Sequence, residues 1–204
     1  MKLSTFLRPL LALTLAASLA ACGGGTKSYV LGGTVSGLTD PGLVLANGST
    51  TLTLAPVTVV NNDGSTSTAA AFNFAFPDKL AYGSVFNVTV QTNPAHQSCG
   101  TSANAGSAGT TASNAIIVIC TRNSYTVGGT VTGLSTTGLV LTNGSDTLTV
   151  ASAAAGFTFA GRVNDSAAYG VTILTQPVGQ TCVVSSGSGV VNGANVNSVA
   201  VTCR

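Results

Sequence analysis

Much of this 204-residue chain is written twice, and that duplication limits the fold more than any other feature. Ser28-Tyr29-Val30-Leu31-Gly32-Gly33-Thr34-Val35-Ser36-Gly37-Leu38 recurs as Ser124-Tyr125-Thr126-Val127-Gly128-Gly129-Thr130-Val131-Thr132-Gly133-Leu134. Gly42-Leu43-Val44-Leu45-Ala46-Asn47-Gly48-Ser49 recurs as Gly138-Leu139-Val140-Leu141-Thr142-Asn143-Gly144-Ser145. By identity, Phe72-Asn73-Phe74 matches Phe157-Thr158-Phe159, and Ala81-Tyr82-Gly83 matches Ala168-Tyr169-Gly170. The stretch from Val88 to Cys99 answers that from Val171 to Cys182, and Ile117–Thr121 lies opposite Val199–Cys203. The copies cover 28–122 and 124–204, and the first is longer mainly at 55–71. A unit of about 80–95 residues is too long for a solenoid coil and suits a small domain. Arg122-Asn123 leaves almost no linker, so two domains are expected end to end with limited freedom.

Each unit reads as β throughout. Val, Ile and Thr alternate in short runs bounded by Gly, and no stretch after residue 22 has a helical period. Asn47-Gly48 and Asn143-Gly144 suit the central positions of a type I′ hairpin turn. Phe72, Phe74 and Phe76 alternate, which puts three rings on one sheet face. Six to seven strands per unit, roughly, is the count of an immunoglobulin-like or transthyretin-like β-sandwich. The expected fold is all-β, with two tandem sandwiches.

The N-terminus predicts export. Lys2 and Arg8 precede an apolar run, Leu10 to Ala17, and then Ser18-Leu19-Ala20-Ala21-Cys22. That is the order of a signal peptide, and the run is too short to span a bilayer. Leu19-Ala20-Ala21-Cys22 resembles the lipobox of bacterial lipoproteins. The resemblance implies cleavage after residue 21, a diacylglyceryl thioether on Cys22 and acylation of the new amine, an anchor of more than one chain. Residues 22–27 then read as a lipidated cysteine and a Gly-rich tether. Gly23 after Cys22 favours the outer membrane in a Gram-negative host, because family-like lipoproteins retained at the inner membrane often carry Asp there.

With Cys22 assigned to lipid, four cysteines remain, in two pairs each 21 positions apart. Three pairings are possible, and the spacing favours Cys99–Cys120 and Cys182–Cys203 in an oxidising compartment. Closing each loop adds about 3 kcal/mol in the chain-entropy model. A structural zinc site wants clustered ligands, and His96 is the single histidine, so no metal is expected.

The pattern of Tyr125-Thr126-Val127-Gly128-Gly129-Thr130-Val131, Gly138-Leu139-Val140-Leu141, Tyr169 and Gln176–Cys182 resembles a repeat of proteobacterial lipoproteins and surface proteins. The resemblance implies tandem immunoglobulin-like sandwiches of unassigned activity and supplies no catalytic residues. The first copy departs from it at Asn93-Pro94-Ala95-His96-Gln97 and at the 55–71 insertion.

Side chains that carry chemistry are few. Lys2 and Arg8 account for two of the seven basic residues, leaving five against five aspartates and no glutamate. A near-neutral chain has no electrostatic footprint for nucleic acid. A hydrolase needs a base beside its nucleophile, and His96 aligns with Gly179, which suits an exposed turn. Asp40, Asp63, Asp78, Asp146 and Asp165 sit mostly beside Gly, Pro, Ser or Asn, where aspartate shapes turns. Gly187-Ser188-Gly189 lacks the following helix a phosphate loop requires. The four tyrosines, 29, 82, 125 and 169, recur in both copies, which predicts packing rather than a sugar platform. No catalytic residue and no cofactor are expected. The expected role is a non-enzymatic structural or interaction module of the cell envelope, held to the membrane by the lipid on Cys22, with another envelope protein as a possible partner. The alternative is a glycan- or ligand-binding surface protein using loops 55–71 and 100–114 at one end of a sandwich.

Overall fold

The computed structural model describes residues 27–204. The expected signal peptide (1–21), Cys22 and the tether before Lys27 lie outside the described residues. The first half contains β1 (Ser28–Tyr29), β2 (Gly32–Ser36), β3 (Leu43–Asn47), β4 (Thr50–Leu54), β5 (Thr58–Val60), β6 (Thr66–Thr68), β7 (Ala71–Ala75), β8 (Leu80–Ala81), β9 (Val85–Thr92), β10 (Gln97–Ser102), β11 (Ala105–Ser107) and β12 (Ile116–Arg122). The second contains β13 (Ser124–Tyr125), β14 (Val127–Thr132), β15 (Val140–Asn143), β16 (Asp146–Thr149), β17 (Gly156–Thr158), β18 (Val163–Asn164), β19 (Ala168–Thr175), β20 (Cys182–Ser185), β21 (Ser188–Val190) and β22 (Val196–Cys203). No helix occurs among the described residues.

The fold is an all-β sandwich arrangement, and the two halves repeat one strand order. In the first half the sheets run β10-β12-β2-β7 and β11-β9-β3-β4; in the second they run β20-β22-β14-β17 and β21-β19-β15-β16. Short pairs β1-β8 and β13-β18 sit at matching places, while β5-β6 has no counterpart. In each half the first long strand pairs in parallel with the last, β2 with β12 and β14 with β22. A parallel pair needs a long connection, and here nearly the whole half supplies it.

Alternation explains which side chains form the core. In β12, Ile116, Val118 and Cys120 turn inward, and Ile117 and Ile119 outward. Val35, Leu43, Leu45, Phe86 and Val88 meet them from both sheets, each at most 1% exposed. The second half builds its own cluster from Val131, Leu139, Leu141, Phe159, Val199 and Val201. A Val, Leu or Phe side chain so buried contributes about 1.5–3 kcal/mol of transfer free energy. Gly33 and Gly129 permit the parallel pairing, since a Cβ there would collide with the carbonyls of Ile116 and Val199. Cys99 is bonded to Cys120 and Cys182 to Cys203, as register partners between adjacent strands.

Register corrects the sequence in three places. The hairpin loops are Gly48-Ser49 and Gly144-Ser145, because Asn47 pairs with Thr50 and Asn143 with Asp146. Only the glycine of each loop has positive φ (59° and 61°), the type II′ pattern rather than type I′. The cause is local: Asn47 and Asn143 stay in the strands, where their side-chain oxygens accept from the Asn87 and Gly170 amides. Phe157 and Phe159 correspond to Phe74 and Phe76, since Phe76 N donates to Leu31 O as Phe159 N does to Val127 O. Tyr169 corresponds to buried Phe86 rather than to Tyr82, because Gly106 opposes Phe86 as Gly189 opposes Tyr169.

Candidate functional site

Strand directions place the second half against the end of the first at which β2 and β12 finish. β12 finishes at Arg122 and β13 begins at Ser124, so Asn123 alone joins them. Its amide donates to His96 O (3.0 Å), and its carbonyl accepts from the Asp165 amide (2.8 Å). Its side-chain oxygen accepts from the Ser98 hydroxyl at 2.7 Å. One residue is thus hydrogen-bonded on both sides of the boundary, and the connection has no slack.

The first half presents His96 and Arg122 to this boundary. His96 precedes β10, and its turn is fixed by the next residue, Gln97, which is 2% exposed. The Gln97 side-chain oxygen accepts from the amides of Thr39 (2.8 Å) and Asp40 (3.0 Å), and its Nε2 donates to Gly37 O. Arg122 Nη2 donates to Asp40 Oδ2 (2.9 Å) and Thr39 Oγ1 (3.0 Å), while Nη1 reaches Asp165 O at 3.5 Å.

The second half presents Asp165, in the turn after β18. Its Oδ1 accepts from the amides of Ser166 and Gly193, each at 2.9 Å. Its Oδ2 lies 3.0 Å from His96 Nδ1. An ionised carboxylate only accepts, so Nδ1 carries the hydrogen. The His96 hydrogen bond, then the Gly193 amide, hold the Asp165 carboxyl below its ordinary value of 3.8. The residue is 1% exposed, and every oxygen of its side chain is satisfied. Nearby, Arg162 Nε donates to Ser124 Oγ (3.0 Å), and its guanidinium also bonds the Ser124 carbonyl.

The aspartates and loops singled out in the sequence fall as follows. Asp40 is paired with Arg122, Asp63 closes its turn on Ser65, Asp78 is exposed, and Asp146 accepts from the Gly161 amide. Asp165 shapes a turn, as expected of such residues, but it is also buried and bridges the halves. His96, expected in an exposed turn, is instead only one-third exposed in its side chain, because Asp165 covers it. Among the described residues no serine, threonine or cysteine side chain hydrogen-bonds the His96 ring. Ser188 of Gly187-Ser188-Gly189 opens strand β21. Loops 55–71 and 100–114 leave the first half at opposite ends. Ala70 O accepts from Gly37 N at the junction end, whereas Ala108 O accepts from Gly83 N at the other. They do not form one site.

The bridging role of Asp165 is hidden in the sequence, because Ala81-Tyr82-Gly83 matches Ala168-Tyr169-Gly170 by identity. The turn that truly corresponds to Tyr82-Gly83 is Asp165-Ser166. Tyr82 N donates to Lys27 O as Asp165 N does to Asn123 O, and Gly83 and Ser166 both have positive φ (82° and 66°). An equal count of residues from Phe76 to Val88 and from Phe159 to Val171 was the available signal. No family model matches this chain, and no curated protein matches it either.

Proposed function

We propose that this chain is a lipid-anchored cell-envelope protein whose two sandwiches act as a non-enzymatic structural or interaction module. The anchor is Cys22, with the outer membrane as destination in a Gram-negative host. The observation that carries the modular role is the use made of buried polar groups. Gln97, Ser113 and Asp165 are the buried polar side chains among the described residues. Gln97 and Ser113 bond backbone groups of loops, and Asp165 bonds the junction. A spacer that must hold its shape uses polar burial in this way.

Mass spectrometry of the mature N-terminal peptide tests the anchor: a thioether-linked diacylglycerol on Cys22 supports it, and an unmodified cysteine contradicts it. Cys22→Ser should abolish the lipid-borne mass. A hydrolase activity that His96→Ala abolishes would contradict the non-enzymatic role.

One observation favours a second reading, ligand or glycan binding. The β5-β6 hairpin stands outside the sandwich sheets, has no counterpart in the second half and leaves Val60 74% exposed. A glycan array and an adhesion assay with 55–71 deleted separate the two, since a spacer shows no hairpin-dependent binding.

A further inference from the structure

The duplication allows one end of each half to be compared with the same end of the other. In the second half this end carries Asp165 and is covered by the first half. In the first half it carries Tyr82 at the equivalent position, and Tyr82 is 63% exposed. The ring is nonetheless placed: it packs on Tyr29 at a centroid distance of 6.3 Å, and a Cβ on Gly109 would strike the Tyr82 ring and the Tyr29 hydroxyl. Val30 beside it is 46% exposed. The charged groups on this end are Lys27, Lys79 and Asp78, all exposed, which gives a net cationic rim around an aromatic ring.

The chain itself says what lies opposite. Lys27, whose carbonyl accepts from the Tyr82 amide, is five positions after Cys22. Five residues span about 18 Å at full extension. A lipid on Cys22 therefore keeps this end within that distance of the headgroups, and no room remains for another folded domain between them. Tyrosine beside lysine suits that boundary, since the ring is amphipathic and the cations meet anionic headgroups.

We infer that the end of the first half bearing Tyr82, Tyr29, Val30, Lys27 and Lys79 is a membrane-contact surface, seated on the lipid headgroups with the Tyr82 ring at the interface. This rests on Cys22 being lipidated. The exchange of Tyr82 for Asp165 between the copies follows from what each faces, a bilayer in one case and a histidine of the neighbouring half in the other. Seated so, the first half stands on the membrane and the second projects away from it.

The chain has no tryptophan, so Tyr82→Trp gives a single reporter. The lipidated full-length mature variant is reconstituted in phosphatidylethanolamine–phosphatidylglycerol vesicles doped with brominated phosphatidylcholine. Val178→Trp serves as the control, since Val178 is 73% exposed at the far end of the second half. The expected result is blue-shifted, bromine-quenched emission from Tyr82→Trp and none of either from Val178→Trp. Quenching of neither variant, with Cys22 shown by mass to be lipidated, overturns the membrane contact and leaves the anchor standing. Equal quenching of both overturns the upright placement. Cys22 without lipid overturns the anchor and this inference together.

Discussion

His96 Nδ1 and Asp165 Oδ2 meet at 3.0 Å across the boundary between two copies of one sandwich. The two residues occupy positions that differ between the copies, Gly179 standing where His96 does and Tyr82 where Asp165 does. The pair therefore belongs to the junction and not to the shared fold. Its removal should change how the halves are joined more than how each is built.

The pH dependence follows from the direction of the Asp165 shift. Its carboxyl titrates below the ordinary 3.8 when folded. A depressed folded value stabilises above the unfolded value and loses that contribution as pH falls through the folded one. The part of the stability gap between wild type and Asp165→Ala that comes from the ionised carboxylate should be present above about pH 5 and lost as pH falls below 3.8. Urea unfolding at a series of pH values checks this; a gap already closed at pH 6 contradicts it.

Gln97→Ala leaves the Thr39 and Asp40 amides and the Gly37 carbonyl without their partner. The cost should be about 1–3 kcal/mol, read from the denaturation midpoint of the first half. Gln180 bonds Ser135 N, Thr136 N and Gly133 O in the same way, but at a more open site. Gln180→Ala should cost less, because water can replace its hydrogen bonds.

Each disulfide closes a loop within one half. Replacing Cys182 and Cys203 together by Ala should destabilise the second half by about 3 kcal/mol. The first half should keep its own amide-exchange protection, because the two apolar clusters share no residue. Equal loss of protection in both halves would mean that they unfold as one unit.

The hairpin is separable in energy. Ala69 N donates to Val57 O at 2.7 Å and closes its base, and β5 and β6 are exposed at every residue. Deleting 57–69 and rejoining the chain with a short Gly link should change stability by less than about 1 kcal/mol. Thermal unfolding of the deletion measures it.

The sequence made some of this legible and hid the rest for physical reasons. Alternation of Phe72, Phe74 and Phe76 and the matched cysteine spacing report directly on a shared sheet face and on covalent neighbours, and both are present in the fold. Identity strings misled where short motifs recur by coincidence. Ala-Tyr-Gly occurs in both copies four residues out of register, and Phe-x-Phe two residues out. Ladder hydrogen bonds resolve such slips directly, because strand register is set by sheet partners, while the sequence offers only the equal residue count from Phe76 to Val88 and from Phe159 to Val171. Asn47-Gly48 has the composition of a type I′ turn, yet the Asn47 side chain is held by the Asn87 amide, a contact 40 residues away. The burial of Asp165 depends on a neighbouring half, and its flanking serine and asparagine carry no trace of that.

Backbone ¹⁵N relaxation tests most directly the claim that the junction makes the two sandwiches one rigid body. In the wild type, amides of 28–122 and 124–204 should fit a single rotational diffusion tensor, and in Asp165→Ala they should separate into two faster-tumbling sets while each half keeps its chemical-shift pattern. Two independent tensors in the wild type, or one unchanged tensor in Asp165→Ala, would contradict the claim.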